Sequence, residues 1–221
     1  MSFRPGLFRC RECLVPTLRG WIVIVLAGAA LAVGLTLGVY PFLAVNDSKP
    51  GGVLVAEGWG GEDEMNEVID EFKRHHYEGI FVTGGPIEKS SPFAEYNTLA
   101  EYGAVILTRL GCDPKVVHPV PTPKVVKDRT YSSAVALESW LKEHGIPATN
   151  VNVFSTGAHA RRSRLLFQKA FGDGAQIGIV ATEDRDYDPR RWWTTSMGFR
   201  AVTSEAIAYL YARFLFHPPA E

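Results

Sequence analysis

From Trp21 to Val45 the chain reads WIVIVLAGAALAVGLTLGVYPFLAV, without a single charged side chain. A backbone in hydrocarbon must satisfy its own hydrogen bonds, and ~20 apolar residues suffice to cross the ~30 Å core of a bilayer as a helix. The stretch is therefore read as a transmembrane helix, with Trp21 and Tyr40 placed as interfacial anchors. A cleaved signal peptide is the competing reading, but its apolar core runs ~7–15 residues to a small-residue cleavage site. This run is longer and ends in Tyr40-Pro41-Phe42. Residues 1–20 carry Arg4, Arg9, Arg11 and Arg19 against Glu12 alone. Such a basic flank stays cytoplasmic, so the remainder is expected outside a bacterial cytoplasmic membrane.

The remainder divides into a short linker, 46–52, and one domain, 53–221. Beyond residue 20 the chain holds 19 basic and 23 acidic residues, a balance that gives no reason to expect nucleic-acid binding. Cys10 and Cys13 form one C-x-x-C in the tail; no second pair completes a zinc site, and Cys112 stands alone in the domain. No metal site is expected.

Within the domain, short apolar runs alternate with amphipathic segments of helical length. The runs are Val53–Glu57, Ile80–Thr83, Val116–Val120, Val151–Ser155 and Ile177–Ala181, read as buried strands. Between them, Met65, Val68, Ile69 and Phe72 recur at helical spacing over Glu62–His76, as do Ala134, Leu137 and Leu141 over Tyr131–His144. Thr203–Phe216, with Ile207, Leu210, Tyr211 and Phe214, reads as a closing helix. This order predicts an α/β fold: three layers around a mainly parallel, Rossmann-like sheet.

Ligands of such sheets bind beyond the carboxyl ends of the strands. The chemistry-bearing residues gather there: Glu57-Gly58-Trp59-Gly60-Gly61 after the first strand, Thr83-Gly84-Gly85 after the second, and Thr156-Gly157-Ala158-His159 with Arg161 and Arg162 after the fourth. The first loop meets neither nucleotide fingerprint and reads first as a tight strand-to-helix turn, with a ligand contact as the alternative. His159 and Arg162 share the first turn of a helix and face any anion drawn to its terminus; a histidine hydrogen-bonded within the fold is the alternative. Arg129 and Thr130 open one helix and Glu95 another, with helix capping as the second reading for Asp128 and Thr130. Glu57 and Glu95 are a candidate acid–base pair, His159 the candidate for proton transfer and Arg162 for charge stabilisation. There is no G-x-S-x-G elbow and no H-E-x-x-H.

Taken together, the first glycine turn, Thr83-Gly84-Gly85, Glu95, Arg129-Thr130-Tyr131 and above all Thr156-Gly157-Ala158-His159-Ala160-Arg161-Arg162-Ser163 resemble the SanA-, ElyC- and YdcF-like bacterial family over about Val53–Phe216. The resemblance implies a Rossmann-like domain and, for anchored members, a role in cell-envelope integrity or in peptidoglycan and lipid-carrier metabolism. An anionic ligand, a phosphate-bearing lipid or a nucleotide-type sugar precursor, is the expected partner, held by Gly58, Trp59, Thr83, Gly84, Gly85, Arg129, Thr130, Thr156 and Gly157. A non-catalytic envelope factor is the alternative. A YdcF-like member of the family is associated with S-adenosylmethionine binding. Here Glu57 and Trp59 depart from the glycine-rich turn, and no cofactor is expected.

Overall fold

A computed structural model describes residues 14–88 and 95–219. The tail cysteines Cys10 and Cys13, with Arg4, Arg9, Arg11 and Glu12, lie outside the described residues.

Helix α1 spans Leu18–Leu43, starting three residues before the predicted span and ending two before its predicted end. Its 26 residues give a length of ~39 Å, and it is long and apolar enough to cross a membrane. The chain separates into two compact units, one ending at Leu37 and the other beginning at Gly38. The second unit therefore contains the last turn of α1. Leu43 is fully buried there, with Tyr187, Trp192 and Val202. The predicted linker is likewise built into this unit. Asp47 bridges to Ile179 in an antiparallel pair, and the buried Asn152 amide donates to the carbonyls of Lys49 and Gly51 while its Oδ1 accepts from Lys49 N.

The sheet has five strands, β1 (Val53–Glu57), β2 (Ile80–Gly84), β3 (Val117–Pro121), β4 (Asn150–Thr156) and β5 (Gln176–Thr182), all parallel and in the order β3-β2-β1-β4-β5. Each predicted run is a strand, shifted by at most one or two residues. Because both faces are covered, apolar side chains serve both: Leu54 and Ala56 point into one core, Val53 and Val55 into the other. The first core is closed by α2 (Glu62–Arg74) and α3 (Leu99–Arg109), the second by α4 (Arg129–Glu143) and α5 (Ala160–Phe171). Each fully buried Leu, Val or Phe here contributes ~1.5–3 kcal/mol, which sets the three-layer α/β architecture ahead of any local propensity.

Helix ends follow the dipole in two cases. In α2, Glu62, Asp63 and Glu64 sit in the first turn and Lys73 and Arg74 in the last; α3 begins with a capping box between Thr98 and Glu101. In α5 the rule is broken, since its first turn holds Arg161 and Arg162 and no acid. Cations at a helix N-terminus are unfavourable by ~0.3–1 kcal/mol each, so compensation must come from elsewhere.

Helix α6 covers Ser196–Phe214, beginning two turns before the predicted Thr203. Thr195 caps it by accepting from Gly198 N. Its buried residues are Gly198, Val202 and Ala212, whereas Ile207, Leu210, Tyr211 and Phe214, whose spacing marked the helix, are exposed.

Candidate functional site

The strand order reverses at β1. The chain proceeds from β1 to β2 and β3 on one side, then returns to place β4 and β5 on the other, so a crevice opens between the carboxyl ends of β1 and β4. Glu57 is the last residue of β1, and His159 ends the turn after β4. The topology alone thus brings these two side chains together.

The Glu57 carboxylate is nearly inaccessible; its Oε2 accepts from Ser155 Oγ at 3.3 Å and its Oε1 lies 3.3 Å from His159 Nε2. The other ring nitrogen, Nδ1, is 3.0 Å from Oε1 of Glu205 in α6. Arg162 reaches the same carboxylate with a fork, Nε to Oε2 at 2.8 Å and Nη2 to Oε1 at 3.0 Å. His159 is thus held between two carboxylates. Burial pushes the imidazolium down, but the charge of Glu57 and the hydrogen bond and charge of Glu205 outweigh it, raising the pKa to about 9. With both nitrogens protonated, Nδ1 donates to Glu205. The Arg162 Nη2, 2.9 Å away from it, is a neighbour brought in by the shared oxygen. Burial alone raises Glu205, yet His159 and Arg162 together hold it at about 2. Trp59 stands edge-on to the ring at 6.1 Å between centroids.

This cluster explains the charge pattern of α5. The anion at its N-terminus is the Glu205 side chain. Arg161 turns the other way: its Nε donates to the Phe42 carbonyl and its guanidinium lies 4.0 Å over the Phe42 ring, placing a cation at the carboxyl end of α1.

A cleft of about 1220 Å³ opens over the cluster. Of the predicted site, Glu57, Trp59, Thr83, Gly84, Gly85, Arg129, Thr130, Thr156, His159 and Arg162 line it. Gly58, Gly157 and Glu95 are not part of its lining, and Glu95 is exposed, so the Glu57–Glu95 acid–base pair does not form; Glu57 pairs with His159 instead. Gly58 and Gly84 are glycines because α3 lies against them. A Cβ on Gly58 would meet Leu99 O at 2.2 Å, and one on Gly84 would meet Leu99 Cβ at 2.6 Å. The close approach they permit is taken by a helix. Asp128 holds the N-cap position of α4 in the left-handed region, φ 56°, and its side chain makes no capping hydrogen bond.

Two residues of the site escaped the sequence reading. Glu205 is one. The other is Glu64, in the first turn of α2, whose carboxyl lines the cleft with its pKa raised to about 7. Burial is the main cause; the Thr156 hydroxyl opposes it, and repulsion from Glu57 and Glu67 adds to it. The Thr156 Oγ1 is itself buried without a well-formed hydrogen bond, so it faces Glu64 as a loose partner. A carboxyl raised in the fold keeps its stabilising contribution below its ordinary value of 4.5 and loses it as pH rises through 7. Glu64→Gln is therefore expected to stabilise the domain at pH 8 by ~2 kcal/mol, partial exposure having been allowed for, and to bring no such gain at pH 4. Denaturant melts at the two pH values read this directly.

The opposite end of the cleft is basic. Lys124 and Lys127, on the β3–α4 connection, and Arg129, the first residue of α4, are exposed and carry no ion pair among the described residues. β3 is separated from β4 by β2 and β1, so these cations stand across the cleft from His159. Among the described residues no group of three or more His, Cys, Asp and Glu side chains is arranged to hold a metal ion. Compared with known protein families, curated proteins and solved structures, the chain matches none.

Proposed function

We propose that this chain is a membrane-anchored protein of the bacterial cell envelope, of the SanA-, ElyC- and YdcF-like kind, whose cleft binds a phosphate-bearing lipid or sugar precursor of peptidoglycan or lipid-carrier metabolism. One observation carries the reading: a single cleft joins exposed cations, without ion pairs among the described residues, to a titrating carboxyl. Lys124, Lys127 and Arg129 offer charge to a phosphate, while Glu64, with a pKa of about 7, and the His159–Glu57 pair face the ligand's other end. A carboxyl that titrates near neutrality exchanges a proton readily, the property a general acid or base needs. His159 and Glu205, locked to each other, position Trp59 and Arg162 around it. The charge-free run of α1 after Arg19 supports the anchor, and the basic tail supports an outward-facing domain.

A second reading has its own support. Both ring nitrogens of His159 and the fork of Arg162 are satisfied inside the domain, as expected of a strut tying α6 to α5 and β1 in a non-catalytic envelope factor.

The two separate in a thermal-shift titration of the full chain in nanodiscs against undecaprenyl phosphate, a uridine diphosphate sugar, inorganic pyrophosphate and S-adenosylmethionine. Binding to the folded state at a hundred times Kd adds ~2.7 kcal/mol. Lys124→Ala/Lys127→Ala, made at exposed positions, is expected to leave the unliganded melting temperature in place and to weaken a phosphate ligand about ten-fold, ~1.4 kcal/mol. A melting temperature indifferent to all four compounds, together with a His159→Ala variant that is merely unstable, supports the strut. Stabilisation by S-adenosylmethionine alone, unaffected by the lysine changes, would replace the phosphate reading.

A further inference from the structure

Helix α6 is apolar on two sides. One side meets the domain through Gly198, Val202 and Ala212 and sends Glu205, the only acid between Ser196 and Phe214, into the cluster. Phe199, Thr203, Ile207, Leu210 and Phe214 fall at spacings of three and four and so form one stripe. Its four apolar members are 53%, 69%, 53% and 68% exposed, in that order. Five turns of helix with that much uncovered apolar surface form a patch larger than scattered surface residues explain. Arg200 and Arg213 flank it, no acid lies on it, and the preceding turn adds Arg190 and the exposed Trp193, its Arg191 being paired with Asp188 at 3.3 Å.

We infer that this stripe of α6 lies in the interfacial layer of the same bilayer that α1 enters. The inference rests on the membrane-anchored reading above. Three features select lipid over another occupant. The first is continuity: the last turn of α1 packs beside the stripe, with Phe42 edge-to-face on Tyr209 at 5.4 Å and Leu43 buried against Val202. The chain thus leaves the domain toward the span from a turn that is packed against α6. The second is composition, since Phe, Leu and Ile on an acid-free stripe flanked by Arg200 and Arg213 suit an anionic lipid surface, where such a helix sinks ~5–10 Å. The third is the neighbour: Tyr211 both borders the stripe and lines the cleft, so the cleft edge stands beside the lipid. A lipid-linked ligand would then reach Glu64 and His159 with its tail still in the bilayer.

The test uses the full chain with Cys10→Ser, Cys13→Ser and Cys112→Ala, in phosphatidylcholine–phosphatidylglycerol vesicles containing lipid spin-labelled at a shallow acyl position for the α6 and Lys115 sites and at a deep acyl position for the site in the span. Single cysteines bearing a fluorophore are placed by Ile207→Cys, Leu210→Cys, Phe214→Cys, Leu31→Cys within the span, and Lys115→Cys at the far edge of the sheet. Quenching at 207, 210 and 214 is expected to exceed that at 115 by about two-fold or more, alongside strong quenching at 31. Quenching at 31 with none at the three α6 positions overturns this inference alone. Aqueous iodide then tells why: labels it reaches lie on a solvated face, and labels it cannot reach are covered by a second copy. Loss of quenching at 31 overturns the anchoring itself. The substituted α6 positions are exposed, so unchanged melting temperatures are expected and verify that each variant is folded.

Discussion

Replacing Glu205 by alanine is expected to cost about 3 kcal/mol of stability, seen as a fall in melting temperature of ~8 °C. The carboxylate serves three donors, His159 Nδ1 and Arg162 Nε and Nη2, all in a partly buried setting. Its removal leaves Arg162 without a partner and two cations at the N-terminus of α5, where the helix dipole already opposes them. Glu57 alone cannot hold His159 as Glu57 and Glu205 do together, so the ring pKa should fall below about 9. Glu205→Gln keeps the shape and part of the hydrogen bonding, and is expected to lose less. The effect also follows pH. His159, raised from 6.5, contributes fully below 6.5 and loses its contribution as pH rises through about 9. Glu205, lowered from 4.5, contributes above 4.5 and loses its share as pH falls through about 2. The penalty of the variant should therefore be largest between pH 5 and 6 and shrink above pH 9. An equal penalty at pH 6 and pH 10 would show that Glu205 acts through Arg162 and packing and not through the charge of His159.

The second large effect concerns a residue with no functional group. Gly58→Ala should destabilise the domain by more than ~4 kcal/mol, a large fraction of the 5–15 kcal/mol that typically holds a domain together. Its Cβ would sit 2.2 Å from the Leu99 carbonyl oxygen and 2.7 Å from its carbon. These are backbone atoms at the first turn of α3, fixed by the Thr98–Glu101 capping box and by Leu99 N donating to Gly85 O, so no side chain can yield. A nearby glycine serves as the control. A Cβ on Gly61 meets nothing within 4 Å, and Gly61→Ala at that N-cap should cost no more than ~1 kcal/mol. Thermal melts of the two purified variants, with the yield of folded protein, decide the point. Should Gly58→Ala melt like the parent, α3 would not pack where the structure places it, and the glycine would be available to a ligand after all.

The contrast shows what was legible in the sequence. All five strands could be read because a strand buried on both faces must be apolar throughout, and the span of α1 because a membrane tolerates no charge along it. The gathering of Glu57, Trp59, Thr83, Thr156, His159 and Arg162 was legible as well, since parallel strands all deliver their carboxyl ends to one rim. Contacts made across that rim were harder to see. His159 and Glu205 are 46 residues apart, and no local pattern pairs them. The available signal was twofold: arginines where a helix should begin with acids, and one acid in an otherwise acid-free helix. Glu64 was hidden for the opposite reason, because an acid in the first turn of α2 already has a local explanation in the dipole. Gly58 and Gly84 look like phosphate-loop glycines in sequence, yet the backbone that approaches them belongs to Leu99 and Ala100. In α6, helical periodicity located the helix but could not tell its domain side from its outer side, since both are apolar.

The arrangement rests on His159 being an imidazolium clasped between Glu57 and Glu205 at the floor of the cleft. The most direct measurement is a pH titration of the full chain in nanodiscs, followed through the 15N resonances of its histidine rings. The expected result is a His159 ring with both nitrogens protonated at pH 7.5, titrating near 9 and shifted lower in Glu205→Gln. A ring that is neutral at pH 7.5 and titrates near 6.5 would contradict the cluster, and with it the site built upon it.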